Sequence, residues 1–334
     1  MTGMLDLADV HSPLATLLEQ QLERIAIVFE RQLASDLSAV NALCLHVEQY
    51  RGKMLRPALV LLSGLAGADD STEESTLTEK HRIIAAVVEM IHMATLVHDD
   101  VLDEADIRRR GATVNRMWDN ETAVMLGDYL ISNAFHLCST AFDPSINLAL
   151  GQVTNTLCEG ELIQLHHRED CGLDEATYLE IVRRKTASLI AECCRLGAMI
   201  SGADPHVSKA LHRFGESLGI AFQIQDDLLD LIGEERIVGK SLGRDLEKGK
   251  ITLPIIFYLQ NATQAERGLG LKLIAQTDAD ALHTRLLDSG AVEQAGRVAL
   301  DLVDQAKDEL SVLQSGPARD LLMSMADAVI TRNR

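Results

Sequence analysis

The sequence predicts an all-α protein, and three observations carry that prediction. Apolar residues recur with a period of about 3.6 from residue 12 almost to the end, and no stretch alternates convincingly as a strand would. Aromatic residues make up only 3% of the chain and there are six prolines. Ala, Leu and Glu abound instead, a balance that favours helix over sheet. At 334 residues, 47% of them hydrophobic, the chain can bury a sizeable core as two domains or as one large helical domain.

Taken in order, the periodic segments run over 13–34, 36–50 and 55–67, then over a longer stretch at 79–104. That fourth segment contains AAVVEMIHMATLV, a run apolar enough for a buried helix. Further segments follow at 119–140, 145–168, 174–201, 206–232 and 252–260, with more towards the C-terminus. Two linkers separate them. Residues 68–80, ADDSTEESTLTEK, are acidic and polar and read as an exposed, solvated loop. Residues 233–251, GEERIVGKSLGRDLEKGKI, mix glycines with lysines and arginines, and that composition combines backbone freedom with phosphate-binding charge.

The formal charge of −19 argues against a general nucleic-acid binder, although local arginine clusters still permit anionic ligands. The six cysteines include no CxxC pair, and Cys193 and Cys194 are adjacent within a helical pattern, so all six read as reduced thiols. The first twenty residues lack a basic n-region followed by a long apolar run, and no segment reaches the ~18 apolar residues of a membrane span. A cytoplasmic protein without an integral membrane segment is the expectation.

One local similarity bears on function. LVHDDVLDEAD at 96–106 has a counterpart in IQDDLLD at 224–230, each at the end of an apolar helix. Residues i and i+4 of a helix lie about 40° apart and about 6 Å along the axis, so Asp99 shares a face with Asp103, and Asp226 with Asp230. Asp100 and Asp227 flank those faces. Oxygen-only ligands at this spacing suit a hard cation such as Mg²⁺, which takes one or two carboxylates together with waters and substrate phosphates. A lone DDxxD is common on solvated faces, whereas two copies, each closing a buried helix, point to a metal and a polyphosphate. Cations surround the acids: Lys53 and Arg56 in GKMLRP, Arg108 and Arg109 after the first motif, Lys185 beside Thr186, and Lys240 and Lys250 in the glycine-bearing linker. Arginine forks and lysine point charges both bind diphosphate.

Together these motifs resemble the trans-isoprenyl diphosphate synthase family: GKMLRP, then His92 seven residues before Asp99 of HDDVLDEADIRR, GDYL at 127–130, KT at 185–186, FQIQDDLLD at 222–230 and GK…D…GK…LP at 239–254. The resemblance spans about residues 50–255 and keeps the family's order. It implies an isoprenoid synthase-type bundle of long antiparallel helices around a central cavity, with residues 1–334 as a single domain, assembled as a homodimer. It further implies a prenyltransferase that condenses isopentenyl diphosphate with an allylic diphosphate, with about three Mg²⁺ ions per site bridging carboxylates and phosphates. Carried over by position, Asp99, Asp100, Asp103, Asp226, Asp227 and Asp230 would hold the metal. Asp99, Asp103, Lys185 and Asp226 would be the catalytic set. Arg108, Lys185, Thr186, Gln223, Lys240 and Lys250 would contact the allylic substrate, and Lys53, Arg56, His92 and Arg109 the isopentenyl diphosphate. The chain departs from the family's RRGxPTxN at two places, with Arg110 for Gly and Ala112 for Pro.

The resemblance implies ionisation of the allylic diphosphate, attack by the isopentenyl double bond and loss of a proton to the released diphosphate, under a lid made by the Lys240–Lys250 loop. In the family a bulky aromatic four or five residues before the first Asp stops growth early, and this chain has Thr95 and Ala94 there. With about 5.4 Å of depth per helical turn, Ile91, then Met90 and Val87, become the next floor candidates, and a medium to long product of about six to ten isoprene units is expected. A short farnesyl or geranylgeranyl product is the alternative, if Ala94 merely packs against a neighbour. A terpene cyclase is disfavoured by GKMLRP and the second DDLLD, and a non-catalytic partner subunit by the intact acid motifs.

Overall fold

In the computed structural model the described residues are 12–48, 50–68, 76–109, 111–232 and 243–331, so Arg110 and, in the expected lid, Lys240 and the two residues after it lie outside them. The chain forms two compact units. The first comprises the described parts of Met1–Thr154, Glu192–His212 and Leu310–Met325, and the second those of Asn155–Ala191, Arg213–Glu309 and Ala326–Arg334.

The first unit begins with α1 (Pro13–Leu33), α2 (Ser38–Glu48), α3 (Leu55–Gly67) and α4 (Glu79–Leu102). Their starts have local causes. Ser12 accepts a hydrogen bond from the Ala15 N–H ahead of Pro13, and Thr78 and His81 form a reciprocal capping box at α4. Side chains from Pro57 to Ala66 are all buried in α3, and α4 is buried almost continuously from Ile84 to Ala94. Helices apolar on every side belong in the middle of a core, and α4 accordingly packs on α1, on α3 and on α6 (Asn120–Ser139). After α4 the chain makes a feature that the helical pattern does not anticipate. Two short strands, β1 (Ile107–Arg108) and β2 (Gly111–Ala112), pair antiparallel ahead of the one-turn α5 (Val114–Met117). Two-residue strands are too short to leave an alternating signature.

Among the described residues, four helices carry residues of both units: α7 (Pro144–His166), α9 (Ser188–Ile200), α10 (Pro205–Ile232) and α16 (Pro317–Ile330). The expected helix at 174–201 is α8 (Glu175–Val182) joined to α9 (Ser188–Ile200) through a π-helical turn, Arg183–Ala187. Gly160 of α7 lies against that wide turn, where a Cβ would stand 2.7 Å from the Lys185 nitrogen. The second unit continues with α11 (Arg244–Glu247), α12 (Leu253–Asn261), α13 (Gln264–Ala275), α14 (Ala279–Asp288) and α15 (Ala291–Glu309), and α16 (Pro317–Ile330) ends the helical order. Buried from Leu253 to Leu259, α12 packs on α15 and α8. Ile224 and Leu228 of α10 join the same apolar cluster and root the second acid motif in it. Among the described residues no helix is long and apolar enough to cross a membrane.

Candidate active site

The first acid motif occupies the end of α4, where the last turn contains no basic residue. Its carboxylates therefore oppose both one another and the negative end of the helix dipole. The Asp103 N–H donates to the Asp99 carbonyl at 2.8 Å, so helical register persists across the i to i+4 spacing and the two side chains share a face. Asp100 is different. It is 1% exposed, and the Nε and Nη2 of Arg108 each stand 2.8 Å from its Oδ1. Burial raises the Asp100 carboxyl above its ordinary value and the Arg108 charge works against that rise. The Arg108 guanidinium also stands 5.9 Å over the Tyr50 ring, whose hydroxyl accepts a hydrogen bond from the Val114 N–H at 3.0 Å.

A second cluster in the same unit gathers three of the residues expected at the isopentenyl diphosphate. Arg56, Arg109 and His92 share one electrostatic neighbourhood with Glu89, a carboxylate of α4 that is 3% exposed. Burial pushes the Glu89 carboxyl up, opposed by Arg56, Arg109 and Arg51. Burial also pushes the His92 imidazole well below its ordinary value, and Arg56, Arg109 and Arg108 press it further in the same direction. His92 is thus a neutral ring among arginines. Lys53 is exposed on the connection ahead of α3.

The second acid motif falls in the last turns of α10, again without a basic residue in the last turn. Asp226 is exposed and Asp230 half-buried. Asp227 lies inward, 6% exposed, with Oδ2 accepting from the Tyr178 hydroxyl at 2.6 Å and Oδ1 from Gln223 Nε2 at 2.8 Å. Gln223 in turn accepts from the Thr186 hydroxyl at 2.9 Å. Burial, and then the charge of Asp245, push the Asp227 carboxyl well up. Both oxygens of Asp227 are thus engaged by protein donors, which makes it an anchor for its neighbours. Lys185, Thr186, Gln223, Asp227 and Lys250 all line one cavity of the second unit, together with Tyr178 and Asp245. The π turn accounts for part of this convergence, because one extra residue per turn re-aims Lys185 and Thr186 from an ideal helix face. Lys185 is held by an ion pair with Glu161 of α7.

Glu89, Tyr178 and Asp245 are site neighbours to which sequence reasoning assigns no role. Asp245 had a usable signal, as the acid of GK…D…GK, and its N–H donates to Asp230 Oδ2 at 3.0 Å. Tyr178 had none, since a single tyrosine in an apolar helix reads as core.

No three His, Cys, Asp or Glu side chains enclose a metal by themselves among the described residues. The donor set still fits Mg²⁺, because accessible carboxylates from each motif offer only oxygen, and this ion binds through few carboxylates and completes its sphere with water and substrate phosphate.

A family model described as polyprenyl synthetase matches residues 38–287. Among curated proteins, the heptaprenyl diphosphate synthase component 2 of Bacillus subtilis (strain 168) is 35% identical over 313 residues, 92% of this chain and 87% of that protein. Among solved structures, a decaprenyl diphosphate synthase from Rhodobacter capsulatus superposes with a TM-score of 0.88 at 33% identity, covering 96% of this chain and 98% of that one. A polyprenyl synthase from Caulobacter crescentus CB15, complexed with calcium and isoprenyl diphosphate, gives a TM-score of 0.89 at 31% identity, with 100% and 99% coverage.

Proposed function

This chain belongs to the polyprenyl synthetase family and is a prenyltransferase, and we propose that it condenses isopentenyl diphosphate with an allylic diphosphate into a medium- to long-chain all-trans polyprenyl diphosphate. The observation that carries the proposal is the cavity in which Lys185, Thr186, Gln223 and Lys250 converge around Asp227. A lysine pair, a hydroxyl and an amide are the donors that a departing diphosphate requires.

Asp99, Asp103, Asp226 and Asp230 would hold Mg²⁺, about three ions per site, against the allylic diphosphate. When bound, the ions supply positive charge that stabilises the leaving group. Lys185 and Lys250 contribute fixed charge to the same oxygens, and Thr186 contributes a hydrogen bond. Arg56, Arg109, Lys53 and His92 hold the diphosphate of the isopentenyl partner, and the apolar side chains of α4 keep water from the allylic cation. The double bond attacks that cation, a carbon–carbon bond forms, and the proton leaves to the released diphosphate. The chain is proposed to act as a cytoplasmic homodimer of one catalytic domain. Met125 and Leu148, large apolar side chains exposed on α6 and α7, are surface that a second copy would cover.

Product length rests on the α4 positions. Ala94, Ile91, Met90 and Val87 are fully buried, and Thr95 is half-buried with its hydroxyl donating to the His92 carbonyl at 2.7 Å. Small side chains at 94 and 95 leave growth unblocked there. Purified protein given Mg²⁺, isopentenyl diphosphate and farnesyl diphosphate is expected to yield elongated diphosphates, and Ala94→Phe to shorten them by two or more isoprene units. A cyclised hydrocarbon, or no product, would refute the proposed reaction, and an unchanged length in Ala94→Phe would refute the tunnel path.

His92 adds a pH prediction. Its ring is neutral at pH 7 because burial, and then the surrounding arginines, depress its pKa, and a bound diphosphate would offset the arginine part. Binding of isopentenyl diphosphate is therefore expected to take up protons at neutral pH and to tighten as pH falls. Calorimetry in two buffers of different ionisation enthalpy would detect the uptake, with His92→Gln removing the difference. Equal buffer dependence in the two proteins would rule out His92 as the acceptor.

A further inference from the structure

The hairpin between α4 and α5 holds Arg109 in a conformation that its own residue type disfavours. Arg109 has φ 48°, a left-handed value more usual for glycine or asparagine. Several bonds tie the hairpin down. The Thr113 N–H donates to the Asp106 carbonyl at 3.1 Å, and its hydroxyl donates to the Ala105 carbonyl at 2.6 Å. The His46 ring lies 2.8 Å from the Ala112 carbonyl, and Val114 donates to Tyr50, so the hairpin is tethered to the chain just ahead of Gly52.

At Gly52 the Arg109 guanidinium lies where a Cβ would be, against Nη1, Nη2 and Cζ alike. Gly52 itself has no positive φ. An alanine could adopt its backbone conformation, so conformational freedom does not call for glycine here, whereas space does. The colliding atoms are the far end of a flexible side chain. Relief would come from moving the guanidinium and would leave the tethered hairpin in place. Glu89, buried on α4, interacts electrostatically with both Arg56 and Arg109.

We propose that Gly52 is a positioning residue for Arg109, its bare backbone serving as the surface on which the guanidinium rests while its exposed side meets the diphosphate of isopentenyl diphosphate. The proposal rests on the reading above that Arg109 serves that head group. Gly52 never touches substrate. It sets the direction of the group that does, and a side chain there would cost binding of one substrate and spare the other.

Steady-state kinetics of Gly52→Ala, Arg109→Ala and the double variant, each with both substrates varied, test this. Gly52→Ala is expected to raise KM for isopentenyl diphosphate about tenfold, the effect of weakening one charge-assisted contact, with allylic KM and kcat changed less than about threefold. The double variant is expected to be no worse than Arg109→Ala, because the two act through one group. If Arg109→Ala raises this KM and Gly52→Ala does not, or if their effects add in full, the positioning role is overturned. If Arg109→Ala leaves it unchanged, the assignment of Arg109 to the head group fails first. Should Gly52→Ala fail to fold, Arg109→Ala is expected to rescue it by removing the clashing group, and absence of rescue overturns the proposal.

Discussion

Asp99→Ala and Asp226→Ala, made separately, are each expected to lower kcat about 10²- to 10³-fold, the usual effect of removing one element of an electrostatic clamp on developing charge. Neither should unfold the protein. Asp226 is exposed and Asp99 half-buried, each on a helix end that already carries several acids and no base in its last turn. Without metal these carboxylates repel one another and the helix dipole, so removing one is expected to leave the melting temperature unchanged or slightly raised in chelator. Adding Mg²⁺ with inorganic diphosphate is expected to stabilise the parent protein and to stabilise the variants much less, because a ligand that binds only the folded state adds stability by mass action. Single-turnover rates together with melting curves in chelator and in Mg²⁺–diphosphate would check all three statements. Near-normal turnover in either variant would remove that motif from the mechanism.

The neighbouring residue behaves oppositely. Asp100→Ala is expected to destabilise the fold by about 3 kcal/mol, the lower end of what breaking a buried ion pair costs, since it strands the Arg108 guanidinium. Arg108 makes both of its 2.8 Å contacts to Asp100 Oδ1 from within the hairpin. Their loss removes one of the ties on the turn that presents Arg109. Urea unfolding of Asp99→Ala and Asp100→Ala side by side would measure the contrast. A denaturation midpoint for Asp100→Ala equal to that of Asp99→Ala would mean that the ion pair adds nothing to stability. Adjacent, chemically identical residues of one motif are thus expected to fail in different ways, one through turnover and the other through the fold.

That contrast marks where the amino-acid sequence stops being informative. The helices are legible from it because helix formation depends on local spacing. The segment expected at 79–104 is α4 at Glu79–Leu102, and the segment at 206–232 is α10 at Pro205–Ile232. The acid motifs are legible for the same reason, since i and i+4 share a face in any helix. Family membership follows from motif order, a one-dimensional property. Residues at 94 and 95 can be read as small, although which one faces the product is a matter of packing.

Other features were settled only by tertiary structure, and each involves atoms distant in sequence. Burial of Asp227 depends on Tyr178 of another helix arriving beside it, and the Arg108–Asp100 pair has the Tyr50 ring against it. Gly160 of another helix lies against the π turn at Lys185, and Gly52 acquires a role only when Arg109 folds back over it. By itself the sequence determined the helices, the two acid motifs and the class of chemistry, because these follow from residue type and near-neighbour spacing. Which carboxylate anchors and which remains accessible, and where each cation points, were decided by long-range packing, because desolvation and steric contact exist only once distant segments meet.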